Sequence, residues 1–222
     1  MVMGPRVLVV GPALLLLGLA SFTAIRYGLV GSVTGNATRE LEIIAKTPGT
    51  DRGPWWRDDL RRAAGELPRD PTVRELKALA VMSRNDATEY AEAEQDLAAA
   101  IESRPGSGYT WAHLALLKYR VGDTGPGFEK AVQHAVALAP YEPEVQRMVA
   151  DVGLAVLDEM QPATRAAIER AVVAGLKRNA PEILQIAARR GRLNAVCRHF
   201  DRIARPAESK SKQLCQSMEA TS

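Results

Sequence analysis

An uncharged apolar run near the start of the chain constrains the fold more than any other feature. Val7–Ile25 holds 19 residues without a charged side chain, and Arg6 and Arg26 bracket it. At about 1.5 Å per residue, a helix over this run is roughly 28 Å long, close to the roughly 30 Å of a bilayer hydrocarbon core. Tyr27 stands where an interfacial anchor is expected. The run therefore predicts a transmembrane helix within residues 1–31.

A cleaved signal peptide is the alternative for this run, because Gly18-Leu19-Ala20 fits a small-x-small cleavage site. A signal-peptide apolar region is usually about 7–15 residues long, and this one is longer, which favours an uncleaved anchor. The count of basic residues leaves the orientation open or slightly favours a cytoplasmic domain. Arg6 lies on one side of the run, and Arg26, Arg39 and Lys46 lie on the other.

The charge distribution argues against a nucleic-acid partner. The net charge is +3, but the 191 residues after position 31 carry 27 basic and 26 acidic side chains. The apparent basicity therefore belongs mostly to the flanks of the apolar run. A nucleic-acid binder needs a concentrated basic face or a groove-entering motif, and neither is evident in this sequence.

The rest of the chain is predicted to be a row of helices, because apolar residues recur at helical spacing and no alternating strand pattern is convincing. The recurring sets lie within residues 90–101, 128–139, 145–156, 168–176 and 193–200. Proline, which is favoured in the first helical turn, recurs at Pro126, Pro143, Pro162 and Pro181, 17 to 19 residues apart. Two such steps equal one helix pair of 36–38 residues, a length typical of helical repeat proteins.

A repeat signature surrounds Trp111. Trp111-x2-Leu114-Ala115 resembles the first helix of a tetratricopeptide repeat, and Ala135-x4-Pro140 resembles the end of the second helix. Ala100-x4-Pro105 has the same spacing 35 residues earlier. We therefore predict an all-α fold, with an N-terminal transmembrane helix followed by a tetratricopeptide-like antiparallel helical-repeat domain. The predicted divisions are an anchor at 1–31, a connecting helical segment at 32–69, the repeat domain at 70–205 and a flexible tail at 206–222.

The segments around Trp111 also resemble VpsP-type proteins, which are encoded in bacterial exopolysaccharide-biosynthesis clusters. The resemblance covers roughly Arg74–Cys197, and its most specific pieces are Trp111-Ala112-x-Leu114, Pro140–Gln146 and Arg189–Cys197. The usual form of the second piece has Trp where Tyr141 stands. The resemblance implies one N-terminal membrane helix, a tetratricopeptide-like domain and a setting in polysaccharide assembly. It implies no catalytic motif.

Cys197 and Cys215 are the only cysteines. Cys197 falls on the apolar side of the last predicted helix, where a small buried hydrophobe is the simplest interpretation. Cys215 lies in a polar tail, where a free thiol would be a liability. In an oxidising compartment the two could form a disulfide, and that pairing is our main independent reason to place the domain in the periplasm.

Four aromatic residues are candidates for a partner groove: Tyr109, Trp111, Tyr119 and Tyr141. Repeat cores also need large side chains at these points, and we favour that interpretation. We expect no metal site, because His113, His134 and His199 are scattered, and we expect no cofactor or catalytic residue.

These observations favour a non-enzymatic, single-span protein of the bacterial inner membrane. Its soluble domain would bind partner proteins of an exopolysaccharide synthesis and export apparatus through the surface of stacked helix pairs. One alternative is a repeat-containing chaperone of another envelope machine, such as cytochrome c maturation or pilus assembly. A further alternative, an enzyme acting on cell-envelope glycans, would need a carboxylate or nucleophile in a pocket.

Overall fold

A computed structural model describes residues 5–47, 53–203, 213, 215, 217 and 218, and for 5–16 and 199–203 it describes the backbone alone. These residues form helices and no strand, which confirms the predicted all-α class for the described part. The α-helices are α1 Pro5–Lys46, α2 Trp55–Glu66, α3 Pro71–Arg84, α4 Tyr90–Ser103, α5 Gly108–Arg120, α6 Pro126–Leu138, α7 Pro143–Val156, α8 Pro162–Arg189 and α9 Leu193–Ile203.

Local signals account for most of the helix starts. Asp70 caps α3, since its carboxylate accepts hydrogen bonds from the backbone N–H groups of Thr72 and Val73. Ser107 caps α5 in the same way. Proline occupies the first turn of α3, α6, α7 and α8, where its missing N–H has no helical partner to lose.

Helices α3 to α8 pack as three antiparallel pairs, α3 with α4, α5 with α6 and α7 with α8. The second helices of the pairs begin at Tyr90, Pro126 and Pro162, each 36 residues after the last. Successive pairs also touch, because α5 contacts α7 and α6 contacts α8. The predicted apolar sets on α4, α6, α7 and the first half of α8 are buried between these helices and form one continuous core.

Helix α8 consists of two helices that meet at a kink, and Pro181 lies in the first turn of the second one, as its spacing had predicted. The helix is kinked just before it, at Asn179, where φ is −145° and ψ is 72°. The proline ring disfavours helical geometry in the preceding residues, so the predicted break is present as a kink without a connecting turn. The second half of α8 and α9 then form the last helices of the stack.

Residues 32–69 are folded onto the first helix pair rather than separate from it. Helix α1 runs through the predicted boundary at residue 31 without a break, and its second half packs against α2 and α3. The shared core contains Val30, Ala37, Trp56, Leu60 and Val73. The connecting segment therefore joins α1 firmly to the repeat domain.

The predicted transmembrane segment lies within α1, and the side chains of residues 7–16 lie outside the described part. Within the part of the chain that the structure describes in full, no helix is both long enough and apolar enough to cross a bilayer. Residues 17–29 do carry large apolar side chains that are more than half exposed, namely Leu17, Leu19, Phe22, Ile25, Tyr27 and Leu29.

Most of the predicted flexible tail, 206–222, lies outside the described residues. Its four described positions are helical. Cys215 is buried, and Met218 packs against the main core. At these positions the tail is docked rather than loose, because the polar segment carries two apolar side chains that reach the core.

Candidate functional site

The first helices of the pairs present a partly exposed polar face, which we call the first-helix face. On α5 it follows Tyr109, His113, Leu116 and Arg120, a spacing that keeps side chains on one side of a helix. Neighbouring helices are linked across it, since the Arg120 guanidinium donates to the carbonyl of Met82 on α3 at 2.7 Å.

A cleft of about 440 Å³ opens on this face beside the α4–α5 turn. Its lining residues are Glu75, Arg104, Gly106, Ser107, Tyr109 and His113. Nδ1 of His113 donates to Oε1 of Glu75 at 3.0 Å, and the Arg104 guanidinium donates to Oε2 of Glu75 at 2.8 Å. One carboxylate thus orients both basic groups of the cleft.

The environment of Glu75 favours its ionised form. Burial alone would raise the pKa of this carboxyl. The hydrogen bond and charge of His113, together with Thr110 and Arg104, outweigh the effect of burial and hold the pKa below its usual value. The cleft therefore keeps an ionised carboxylate that is paired with Arg104 and hydrogen-bonded to His113.

Tyr109 closes the other side of the cleft and links α5 to the turn before α7. Its hydroxyl donates to Oε2 of Glu142 at 2.7 Å. The bond and the negative charge of Glu142 oppose formation of the phenolate, and with some burial they raise the pKa of Tyr109 to about 12. Of the four predicted groove residues, Tyr109 lines this cleft.

Trp111 is a core residue and not a groove residue, which confirms the interpretation that the sequence favoured for it. Only 8% of its surface is exposed. Its ring stacks on His134 of α6 with centroids 4.5 Å apart, and its indole N–H donates to the carbonyl of Pro105 at 3.0 Å. The indole therefore joins its own helix pair to the end of the preceding one.

Tyr119 and Tyr141 also lie apart from the cleft, so the four aromatic residues do not form one groove. The Tyr119 hydroxyl accepts a hydrogen bond from Arg190 at 3.1 Å, and Arg190 in turn donates twice to Asp151 at 2.9 and 3.1 Å. This network ties α5, α7 and the end of α8 together. Tyr141 is 78% exposed in the α6–α7 turn and touches no groove.

Cys197 and Cys215 are joined by a disulfide, with their Cα atoms 5.8 Å apart. Both residues are buried, at 2% and 3% exposure. The bond holds the docked part of the tail against α9, and it is the pairing that the sequence predicted for an oxidising compartment.

A second depression, of about 200 Å³, lies between α7, α8 and α9 and is mostly apolar. Its apolar wall includes Leu154, Ile168, Val172 and Leu176. Arg192 stands at its rim but is paired with Asp158 at 2.7 Å.

The polar cleft brings a carboxylate, an imidazole and a guanidinium into contact. A carboxylate that orients an imidazole is one half of a nucleophilic site, but within the described residues no hydroxyl or thiol is hydrogen-bonded to His113. No group of three or more potential metal ligands comes together in the described part of the chain.

Glu75 and Arg104 were not predicted as site residues from the sequence, although the spacing of the helices could have indicated Glu75. Glu75 and His113 are 38 residues apart, about one repeat, and both lie one turn into a first helix. Residues at equivalent positions of successive repeats lie side by side. Aligning the helix starts at 71 and 108 places His113 one residue from the position equivalent to Glu75.

Comparison with known proteins adds no relative: no protein-family model, no curated protein and no solved structure matches this chain.

Proposed function

We propose that this chain is a membrane-anchored, non-enzymatic scaffold or assembly factor that binds partner proteins through the first-helix face. The observation that carries the proposal is the stack of three helix pairs with an open polar cleft at Glu75, Arg104 and His113. The pairs are proposed to be tetratricopeptide-like repeats, a class whose stacked surfaces usually hold partner proteins. The cleft offers hydrogen-bonding groups to a polar segment, such as an extended peptide.

The setting proposed for this scaffold is bacterial exopolysaccharide biosynthesis or export at the inner membrane. The resemblance to VpsP-type proteins over Arg74–Cys197 supports it. The uncharged run Val7–Ile25 and the exposed apolar side chains of residues 17–29 support the anchor. The Cys197–Cys215 disulfide supports a periplasmic domain, because such bonds persist in oxidising compartments.

In vivo photocrosslinking tests the proposal. A photoreactive amino acid replaces Tyr109 in the cleft, and a matched control replaces Leu138, which is 42% exposed on the second helix α6. We expect a discrete adduct from position 109 and none from 138. Mass spectrometry should identify the captured protein as a component of polysaccharide synthesis or export.

Two outcomes would overturn this assignment. Adducts with haem-lyase or pilin-assembly proteins would favour the chaperone of another envelope machine. Equal labelling from positions 109 and 138, or none from either, would mean that the first-helix face is not the binding surface.

A further inference from the structure

Helix α1 carries the apolar run directly into the folded domain, which fixes where the domain stands relative to the end of that run. The helix is continuous from Pro5 to Lys46. Val30 and Ala37 are part of the core that α1 forms with α2 and α3. No flexible linker therefore separates the apolar run from the folded domain. If the run crosses a bilayer, the domain is held close to the bilayer surface.

The α2–α3 turn lies beside the point where the run ends. Arg26 is the first charged residue after the run, and its guanidinium bonds to the Glu66 carboxylate at 2.9 Å and to the Glu66 carbonyl. Tyr27 shares a surface depression with residues 67–71. The turn, residues 67–70, is therefore level with the expected membrane interface.

The side chains around the end of the run and the α2–α3 turn are of the types that contact lipid headgroups. Tyr27 is 63% exposed, and Phe22 lies under the Arg26 guanidinium at 5.7 Å, an arrangement of aromatic and basic groups typical of interfaces. Pro68 and Arg69 are exposed at the tip of the turn. Within the residues that the structure describes, the exposed Arg69 side chain makes no hydrogen bond or ion pair, so its guanidinium is available to a phosphate.

We propose that the α2–α3 turn rests on the phospholipid headgroup layer, with Arg69 contacting lipid phosphates. This contact depends on the proposed anchor and adds a second point of attachment beside it. Two attachment points would hold the stack of helix pairs in one orientation on the membrane. The first-helix face would then be presented to a partner in a defined direction.

Fluorescence quenching in vesicles tests the contact on the full chain. Because both native cysteines are paired, a single new cysteine takes the fluorophore selectively. Three variants carry it: Phe22→Cys in the run, Pro68→Cys in the α2–α3 turn, and Val121→Cys in the α5–α6 turn at the opposite end of the helices. The vesicles contain phosphatidylethanolamine and phosphatidylglycerol, with a fraction of lipids that carry a quencher at headgroup depth.

We expect strong quenching at positions 22 and 68 and little at 121. Quenching at 22 without quenching at 68 would overturn the contact and leave the anchor standing. Failure of the protein to float with vesicles, or no quenching at 22, would overturn the anchor and the contact with it. Equal quenching at 68 and 121 would also contradict the proposed orientation.

A charge reversal tests the role of Arg69 itself. In the Pro68→Cys chain, Arg69→Glu should reduce quenching at position 68 several-fold, because a carboxylate is repelled by lipid phosphate. Arg170→Glu is the matched control, since Arg170 is also exposed but lies on α8. An equal effect of both reversals, or no effect of Arg69→Glu, would show that the Arg69 guanidinium does not make the contact.

Discussion

Individual side chains have two distinct roles in this domain. Some hold adjacent helix pairs together, and others shape the polar cleft. Trp111 has the first role, because its ring stacks on α6 while its N–H bonds to the turn that ends the previous pair. Tyr109, two residues earlier on the same helix, has the second, since its hydroxyl reaches Glu142 at the cleft rim.

Trp111→Ala should destabilise the domain strongly. The substitution removes a large buried ring and should lower the free energy of unfolding by about 3–5 kcal/mol. A domain of this kind has a margin of about 5–15 kcal/mol, so the loss is easily seen in urea or thermal unfolding. Tyr141→Ala is the control, because Tyr141 is largely exposed and its loss should change stability by less than about 0.5 kcal/mol. Equal stability of the Trp111 variant and the unaltered chain would contradict the core assignment.

The Tyr109–Glu142 bond should be visible in an alkaline titration followed by ultraviolet absorbance, because Tyr109 should ionise at a higher pH than an ordinary tyrosine. The pKa of Tyr109 is raised to about 12 from the ordinary value of 10.0, so the bond stabilises the fold below pH 10 and is lost between about pH 10 and 12. Tyr109→Phe should remove the late step, and Glu142→Gln should shift it toward pH 10. Circular dichroism must show that the chain stays folded over the range. Titration of Tyr109 at the ordinary value in the unaltered chain would rule out the bond.

The helices were predictable to the extent that their signals are local. The prolines of α6, α7 and α8 and the Asp70 cap act within one turn, so spacing alone located them. The Glu75–His113 pair was missed because it depends on the register of two repeats 38 residues apart. Trp111 lies in the core and Tyr109 lies in the cleft because neighbouring helices cover only one side of α5. The sequence of α5 alone does not show which side is covered.

The α7–α8 interface depends on a close approach that only glycine allows. A Cβ added at Gly153 would lie about 2.6 Å from Cγ1 of Ile168, which is fully buried and cannot move aside. Gly153→Ala should therefore lower stability by about 1–3 kcal/mol, even though alanine favours a helix by about 1 kcal/mol. Gly65→Ala on α2 is the matched control, because nothing lies within 4 Å of its added Cβ, and it should be neutral or stabilising. A stabilising effect of Gly153→Ala in urea denaturation would contradict the observed packing.

The last helix should depend on the disulfide. Reduction, or Cys215→Ser, releases a loop of 18 residues and should lower the free energy of unfolding by about 3 kcal/mol on the chain-entropy model. In protein isolated under thiol-blocking conditions, both thiols should resist alkylation until reductant is added. Ready alkylation of both in the folded, unreduced protein would exclude the bond and weaken the periplasmic assignment.

At the scale of the whole molecule, the structure joins an apolar helix to a stack of helix pairs without a flexible linker. The predicted separation into an anchor, a connecting segment and a repeat domain did not anticipate this joint. After residue 29, α1 has too few apolar residues for the sequence to show whether it is an exposed linker helix or one that packs against the domain. Their contacts with Trp56 and Leu60 supply the distinction.

Alkaline carbonate extraction of membranes that contain the full chain tests the central claim most directly, because carbonate removes peripheral proteins and leaves spanning ones. Our account predicts that the chain stays in the membrane pellet, since the uncharged run Val7–Ile25 is long enough to span the bilayer. Recovery of the intact chain in the carbonate supernatant would contradict a membrane-anchored scaffold.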